Sequence, residues 1–313
     1  MTASGGPACR IVTIRTSGDR LQSAPLSEIG GKRLFVKEIE DALLQDEVDL
    51  AVHSSKDLPA ILPDGLMIAG TLPREDPRDV IVLPFRDPGM PGTGSRLEPA
   101  LSTLDDLVAS LGSTPLVGTS SVRRIAQLAR LVPAARFAPL RGNLETRLRK
   151  LDAGEYDALV LAAAGLRRLG FASRISFALP PSACVPAPGQ GIVAIEVREG
   201  DADIRRLIAK CDDQAAAAAL DAERALVTAL GGGCQTPIGA LASPLEHDGL
   251  ELVATVMSLD GTRMIRRHAR GNRSDAVALG TRVAADLIED GAGEILEEIG
   301  RLSAVDHQQS TED

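Results

Sequence analysis

The 313-residue chain has no tryptophan, one tyrosine and five phenylalanines. So small an aromatic inventory leaves little on which nucleic-acid bases could stack, and a formal net charge of −9 argues further against a nucleic-acid surface. Uninterrupted apolar runs of about eighteen residues are absent, and residues 1–10 lack a basic stretch followed by an apolar one. A cytoplasmic protein is expected, neither spanning a membrane nor exported. Cysteine is scarce: Cys9, Cys184, Cys211 and Cys234 stand far apart and never form Cys-x-x-Cys, while His53, His247, His268 and His307 are equally scattered. That spacing disfavours a zinc site and a disulfide framework. Lysine occurs only at 32, 37, 56, 150 and 210, and arginine supplies the other basic residues, gathered mostly in the first two-thirds. In an acidic chain such local arginine clusters point to a polyanionic small ligand rather than to DNA or a lipid surface.

What is present is ordinary for a soluble globular protein, with 44% hydrophobic and 25% charged residues. The length exceeds what one core organises, so two or three domains are expected. One stretch stands out, Gly231-Gly232-Gly233-Cys234-Gln235-Thr236-Pro237-Ile238-Gly239. Three glycines ahead of a cysteine clear nearby side chains and free the backbone, which suits a thiol presented for covalent attachment. A helical run over 212–230 leads in and alternation from Ile238 suggests a strand beyond. A glycine-rich helix cap with an incidental cysteine fits the same residues.

Along the chain, Arg10 to Thr16 alternates as a strand does, and Gly30-Gly31-Lys32 opens a helix over 34–45 with Phe35, Ile39, Ala42 and Leu43 on one face. The apolar run at 49–54 ends in Ser54-Ser55-Lys56-Asp57, polar residues delivered at a strand end, where open α/β sheets place ligand sites. Strands follow at 65–72 and 79–83, and residues 84–100 read as a Pro/Gly-rich loop or linker. From Pro115 a strand and helix rhythm restarts. Ser120-Ser121 caps a helix whose first turn carries Arg123 and Arg124; the strand 135–140 runs into Arg141-Gly142-Asn143 and a helix with Arg147; the strand 156–162 leads to a helix with Arg168. Helix N-termini offer free N–H groups and positive dipole ends, so arginines there make anion sites, although a charge run is also a common solvated face. Pro186 to Gly191 marks a hinge-like crossing, after which Ile192 to Val197 is expected to return to the first sheet. Strands near 238–243, 250–258 and 263–270 and helices at 274–290 and 293–302 make a separate α+β unit, with a frayed tail from Ala304.

These parts are a presented thiol, a strand-end Asp57 beside Lys56, and arginines on successive turns. A lone carboxylate amid positive charge is suited to hold an N–H donor or a developing cation, and arginine forks match a ligand bearing several carboxylates. Asp57 also fits as a simple cap for the turn at Leu58-Pro59.

Seven segments together resemble the porphobilinogen deaminases, also called hydroxymethylbilane synthases. They are residues 30–38 (Gly-Gly-Lys-Arg-Leu-Phe-Val-Lys-Glu), 51–57 (Ala-Val-His-Ser-Ser-Lys-Asp), 74–79 (Arg-Glu-Asp-Pro-Arg-Asp), 118–124 (Gly-Thr-Ser-Ser-Val-Arg-Arg), 140–143 (Leu-Arg-Gly-Asn), 188–191 (Pro-Gly-Gln-Gly) and 232–234 (Gly-Gly-Cys). They occur in family order from about residue 10 to 302. The resemblance implies α/β and α+β architecture in three domains, the first two similar to type II periplasmic binding protein domains flanking a cleft. The boundaries it implies are 1–86 with 191–213, an inserted loop and linker at 87–112, 113–190, and 214–313. It implies a dipyrromethane cofactor in thioether linkage to Cys234, on which four porphobilinogens are joined head to tail with loss of ammonia to give hydroxymethylbilane for tetrapyrrole and heme biosynthesis. Asp57 matches the catalytic aspartate. Arg123, Arg124, Arg141, Arg147 and Arg168 match arginines that bind acetate and propionate groups. Lys56, Ser54, Thr119 and Ser121 match cofactor positions, Lys32 a loop lysine, and Phe35 an aromatic over the site. Asn143 and Gln190 fall within matching motifs and are taken as binding residues. A cytoplasmic monomer with no metal, nucleic-acid or membrane partner is implied.

Three departures stand against these matches. The family's opening strand, Ile-Ala-Thr-Arg-x-Ser-x-Leu-Ala, and its helix have no counterpart, because Arg10 to Arg15 matches the second strand. Loss of an inner strand would cost many kcal/mol against a total stability of about 5–15. A start upstream of Met1 is therefore expected; in-frame codons for Thr-Arg-x-Ser would support it and a stop codon would sink it. Glu28 stands where some members carry a basic residue, and 84–100 is an expansion. An inactive remnant of the enzyme and a non-enzymatic solute-binding protein remain alternatives, the latter having no reason to carry Gly-Gly-Cys or Ser-Lys-Asp.

Overall fold

The computed structural model describes residues 6–14, 16, 36–85, 101–233 and 236–309, with side chains to residue 302. Residues 10–14 form no strand, and Ile11 is 92% exposed, which corrects the strand expected over 10–16. Alternation supplies a strand's pattern, but among the described residues no neighbouring backbone offers the ladder of hydrogen bonds that would hold it.

The first sheet is small. Helix α1 (Lys37–Leu44) precedes β1 (Ala51–Ser54) and β2 (Leu66–Thr71), and β8 (Val193–Arg198) lies between these two strands, antiparallel to both. Leu43, Ala51 and Leu66 pack under α1, and Ile195 and Val197 pack with Ile208 from helix α6 (Ala202–Ile208). A register shift in β2 between Ile68 and Gly70 brings Gly70 against α6, where an added Cβ would lie 2.8 Å from Ile208.

The second sheet has five strands. They are β3 (Asp79–Val82), β4 (Leu116–Gly118), β5 (Arg136–Ala138), β6 (Ala158–Ala162) and β7 (Phe177–Ala178), in the order β5-β4-β6-β3-β7. The strands β5, β4 and β6 are parallel, and β3 runs antiparallel to β6 and β7. Residues 79–82 were expected with the first sheet, and the pairing corrects this. All four are buried and β3 aligns with the equally apolar β6, so burying both faces decides its place. Residues 87–112, expected as loop and linker, include helix α2 (Leu104–Leu111). Thr103 and Asp106 form a reciprocal capping box, and Leu107 and Leu111 enter the second core. The rest of the expected loop, 86–100, lies outside the described residues.

The parallel strands are joined by α3 (Val122–Leu131) and α4 (Leu144–Asp152), and α5 (Ala163–Arg168) follows β6. Ser121 caps α3 by accepting from the Arg124 N–H, and Asn143 caps α4 by accepting from that of Thr146. Two chain segments connect the sheets and run side by side. Leu72 N–H donates to the Val193 carbonyl and Glu75 N–H to that of Gly191, at 3.0 Å each. Gly191 has φ of 88°, and an added Cβ would lie 2.3 Å from the Glu75 carbonyl oxygen. Only glycine allows the two backbones to approach so closely.

Helix α7 (Gln214–Ala229) begins the third unit, capped by Asp213. It packs on an antiparallel sheet of β9 (Ile238–Pro244), β10 (Gly249–Met257) and β11 (Met264–Asn272) together with α8 (Ala276–Leu287). Helix α9 (Gly293–Gln309) continues past Ala304, where a frayed tail was expected, after a π-type turn containing Gly291 at φ of 97°. The third unit's apolar core also takes in Val36, Leu58, Ile192 and Ala194 from the first, so those two units share one core.

Candidate active site

Strand β1 ends at Ser54, and Ser55 to Asp57 form a single 3₁₀ turn, because the Leu58 N–H folds back onto the Ser55 carbonyl at 3.2 Å. The turn leaves Ser54 and Asp57 exposed and Lys56 half-buried. Beneath it, His53 Nε2 and Glu196 Oε2 are 2.9 Å apart in the sheet interior. The crossing segment closes the other side. Gly189 has φ of 73°, and a Cβ there would lie 2.7 Å from Ser55 Oγ. Both Ser55 Oγ and Gln190 Oε1 are buried without a hydrogen-bond partner among the described residues.

The arginine-bearing junctions of the second sheet come to the same region in two different states. Arg123 and Arg124 are buried. Arg123 Nη1 donates to Asp79 Oδ2 at 2.6 Å and to the Val185 carbonyl at 2.7 Å. Arg124 Nε donates to Asp79 Oδ1 at 2.9 Å and Nη1 to the Val160 carbonyl. Gln190 Nε2 adds a third donor to Asp79 at 3.0 Å. Burial alone would raise the Asp79 pKa, but the two guanidiniums outweigh it and hold the carboxyl well below its ordinary range. Cys184 is buried against this cluster, and burial with the neighbouring Asp79 pushes its thiol up to about 12.

Arg141, Asn143 and Arg147 lie at the β5 to α4 junction. Among the described residues the side chains of Arg141, Lys56 and Asp57 make no hydrogen bond or ion pair, and Arg141 is half-buried. Arg147 Nε donates to the Gly142 carbonyl at 2.7 Å, and Arg168 Nη2 to that of Gly191 at 2.7 Å. Burial lowers the Arg147 pKa, Arg124 lowers it further and Asp57 opposes both, so Asp57 of the first unit lies within electrostatic reach of Arg147 of the second. Burial likewise lowers that of Lys56, with Asp57 and Asp79 opposing and Arg124 and Arg123 adding to it. Thr119 is buried, its Oγ1 accepting from the Ser121 N–H at 3.2 Å.

Of the residues proposed from the sequence, Lys32, Phe35 and Cys234 lie outside the described residues. The flanks of Cys234 are described. Helix α7 stops where Gly231, at φ of 64°, donates to the Thr228 carbonyl and Gly232 to that of Val227. Added Cβ atoms on Gly231 and Gly233 would meet nothing within 4 Å, so space is open around both. Thr236 Oγ1 donates to the Gly233 carbonyl at 2.6 Å and accepts from its N–H at 3.1 Å, tying the two ends of the loop.

Several residues that build this site were missed in the sequence. Glu223 of α7 is fully buried and accepts from Arg74 Nη1 at 2.6 Å, from Ala242 N–H at 2.7 Å and from Gly189 N–H at 2.5 Å. One carboxylate thus joins the third unit to both crossing segments. The presence of Arg74 and Asp79 in one polar motif, followed by an apolar strand, was the available signal for buried ion pairs.

Two α/β units linked by paired crossings, with Asp57 of the first within electrostatic reach of Arg147 of the second, define the class of the protein as a two-lobed α/β fold with a third, α+β unit. A family model described as porphobilinogen deaminase, dipyromethane cofactor binding domain, matches residues 2–206, and one described as porphobilinogen deaminase, C-terminal domain, matches residues 217–289. The chain belongs to the porphobilinogen deaminase family. It is 46% identical over 296 residues to the porphobilinogen deaminase of Syntrophobacter fumaroxidans, covering 95% of this chain and 89% of that one. It is 45% identical over 295 residues to that of Roseiflexus sp., covering 94% and 90%. Among solved structures, the second substrate binding domain of a putative amino acid ABC transporter from Streptococcus pneumoniae is 12% identical over 61% of this chain and 71% of that one, with a TM-score of 0.34.

Proposed function

We propose that this chain is a hydroxymethylbilane synthase, joining four porphobilinogens head to tail with release of ammonia on a dipyrromethane group held by Cys234. The observation that carries the reading is the Asp57 turn. Its carboxylate and its neighbour Lys56 have no internal partner among the described residues, although they sit within electrostatic reach of the arginine junctions. The residues present fit a dipyrromethane. Ser55 Oγ and Gln190 Oε1 are buried polar atoms awaiting partners, space is open around Gly231 and Gly233, and Lys56 and Arg141 suit its carboxylates. When bound, this group supplies the pyrrole position to which each new unit is joined.

The chain's own residues perform the rest. Asp57 accepts pyrrole N–H hydrogen bonds and offsets the positive charge that develops at the substrate methylene as ammonia leaves. Arg141, Arg147 and Arg168, with Lys56, Ser54, Ser121 and Asn143, orient the acetate and propionate groups. Arg123 and Arg124 are assigned a positioning part, since their donors engage Asp79 and backbone carbonyls. We read the chain as a cytoplasmic monomer without nucleic-acid or membrane partners; among the described residues no helix is long and apolar enough to cross a membrane.

The test is the intact mass of the purified chain together with porphobilinogen turnover. A mass exceeding the polypeptide by two linked pyrrole units, with turnover, supports the reading. A bare polypeptide mass without turnover refutes it.

A further inference from the structure

Helix α7 is more than a support for the loop that follows it. Its start is joined to β2, where the Asp213 N–H donates to the Thr71 carbonyl at 2.8 Å and Thr71 Oγ1 donates to Asp212 Oδ1 at 3.1 Å. Its middle holds the crossing segments through Glu223. The next residue, Arg224, points to the first unit. Its Nη1 donates to the Pro59 carbonyl at 2.9 Å and its Nη2 to the Ala60 carbonyl at 2.8 Å. These two carbonyls follow directly on the turn that carries Asp57.

The turn is therefore held at both ends by different units. At its start, β1 is paired residue by residue with β8, Ser54 opposite Val193, and His53 meets Glu196 in the interior. At its end, one rigid guanidinium fork clamps two successive carbonyls, a geometry that a single-point ammonium cannot reproduce. Leu58, between the two ends, is buried in the core shared with the third unit. Between these anchors Asp57 is exposed, and its own side chain has no hydrogen bond or ion pair among the described residues to orient it. Its placement comes from the backbone alone.

We propose that Arg224 is a positioning residue for Asp57: it ties the turn bearing the carboxylate to helix α7 of the third unit, and so fixes the backbone from which the carboxylate projects. This rests on the role given to Asp57 above. A reacting pair displaced by about 1 Å loses roughly 100-fold in rate, so slack in this turn should appear in kcat before it appears in substrate affinity. Simple cohesion between the first and third units predicts something else, namely a general loss of stability with no preference for kcat.

The experiment compares full-length wild type, Arg224→Met and Arg224→Lys by intact mass, thermal melting, steady-state kinetics with porphobilinogen, and amide hydrogen exchange. In Arg224→Met the Cys234 adduct is retained and KM stays within about twofold, while kcat falls about 10- to 100-fold. Exchange quickens at residues 56–61 and stays at the wild-type level in β9, β10 and β11. Arg224→Lys, which can reach one carbonyl, falls between the two. Wild-type kcat in Arg224→Met, or a kcat loss that tracks a general rise in exchange across the third unit, overturns the proposal. A wild-type chain of bare polypeptide mass and no turnover overturns the assigned function. Exchange at residues 56–61 then decides separately whether Arg224 holds the turn, quickening in Arg224→Met supporting the clamp and no change refuting it.

Discussion

Two groups of charge meet between the lobes and are built in opposite ways. In the second unit Asp79 is fully buried, and Arg123, Arg124 and Gln190 all donate to it. In the first unit Lys56 and Asp57 sit on an open turn, and Arg141 of the second unit lies at the β5 to α4 junction, none with a side-chain partner among the described residues. Both groups begin from similar motifs of acid and base near a strand end. A buried charge must be paired, because desolvation without a partner costs several kcal/mol, so the interior cluster consumes its own arginines. A charge left at the edge of water needs no partner to be tolerated, and it stays available to a ligand.

The most severe test of this contrast removes the anchor. Cys234→Ser is expected to abolish both adduct and turnover, and a pyrrole adduct detected by mass on that variant would break the assignment. Next, Asp57→Ala should retain the adduct and the wild-type melting temperature while kcat falls about 100- to 1,000-fold; near-normal turnover would place Asp57 among the capping residues instead. Asp79→Asn should do the reverse, destabilising the chain by about 3–5 kcal/mol, measured by denaturant unfolding, because two guanidiniums lose their counter-charge.

Acid sharpens that third comparison. The folded-state pKa of Asp79 is held far below its unfolded value of about 3.9, so its contribution to stability is complete above roughly pH 4 and is lost progressively as the pH falls further. Melting followed from pH 6 to 3 should fall less steeply in Asp79→Asn than in wild type. An identical slope would show that the cluster does not carry this linkage. A smaller effect is expected at Arg141→Leu, with KM raised about tenfold and melting unchanged, since only an external partner is lost. Smallest is Cys184. Its thiol, pushed up to about 12 and buried, should resist alkylation in the folded chain at pH 8 and react only after unfolding, as peptide mass mapping would show.

Much of the site was legible in the order of residues. The strand ending in Ser54, the turn that follows it and the cap at Ser121 follow from local residue pattern, and the return of residues 193–198 to the first sheet from the crossing that precedes them. Helix α2 was equally legible in Thr103-x-x-Asp106 and the leucines behind it, but the surrounding Pro/Gly-rich composition masked it. The fate of Arg123 and Arg124 was not legible. Both the ligand-binding reading and the buried-pair reading place arginine in the first turn of a capped helix.

What this sequence determines by itself is local and chemical: helix caps such as Ser121, short apolar strands such as Ala51–Ser54, and the seven motifs that mark the family. Those depend on neighbours a few residues apart, whose geometry the backbone dictates. Tertiary structure alone decided that Asp79 joins the second sheet and takes both arginines, that Glu223 fastens three segments, and that Arg224 reaches the turn behind Asp57. The physical reason is common to all three. A buried charge or a spare carbonyl must find its partner wherever packing brings one, and sequence separation says nothing about which partner that will be.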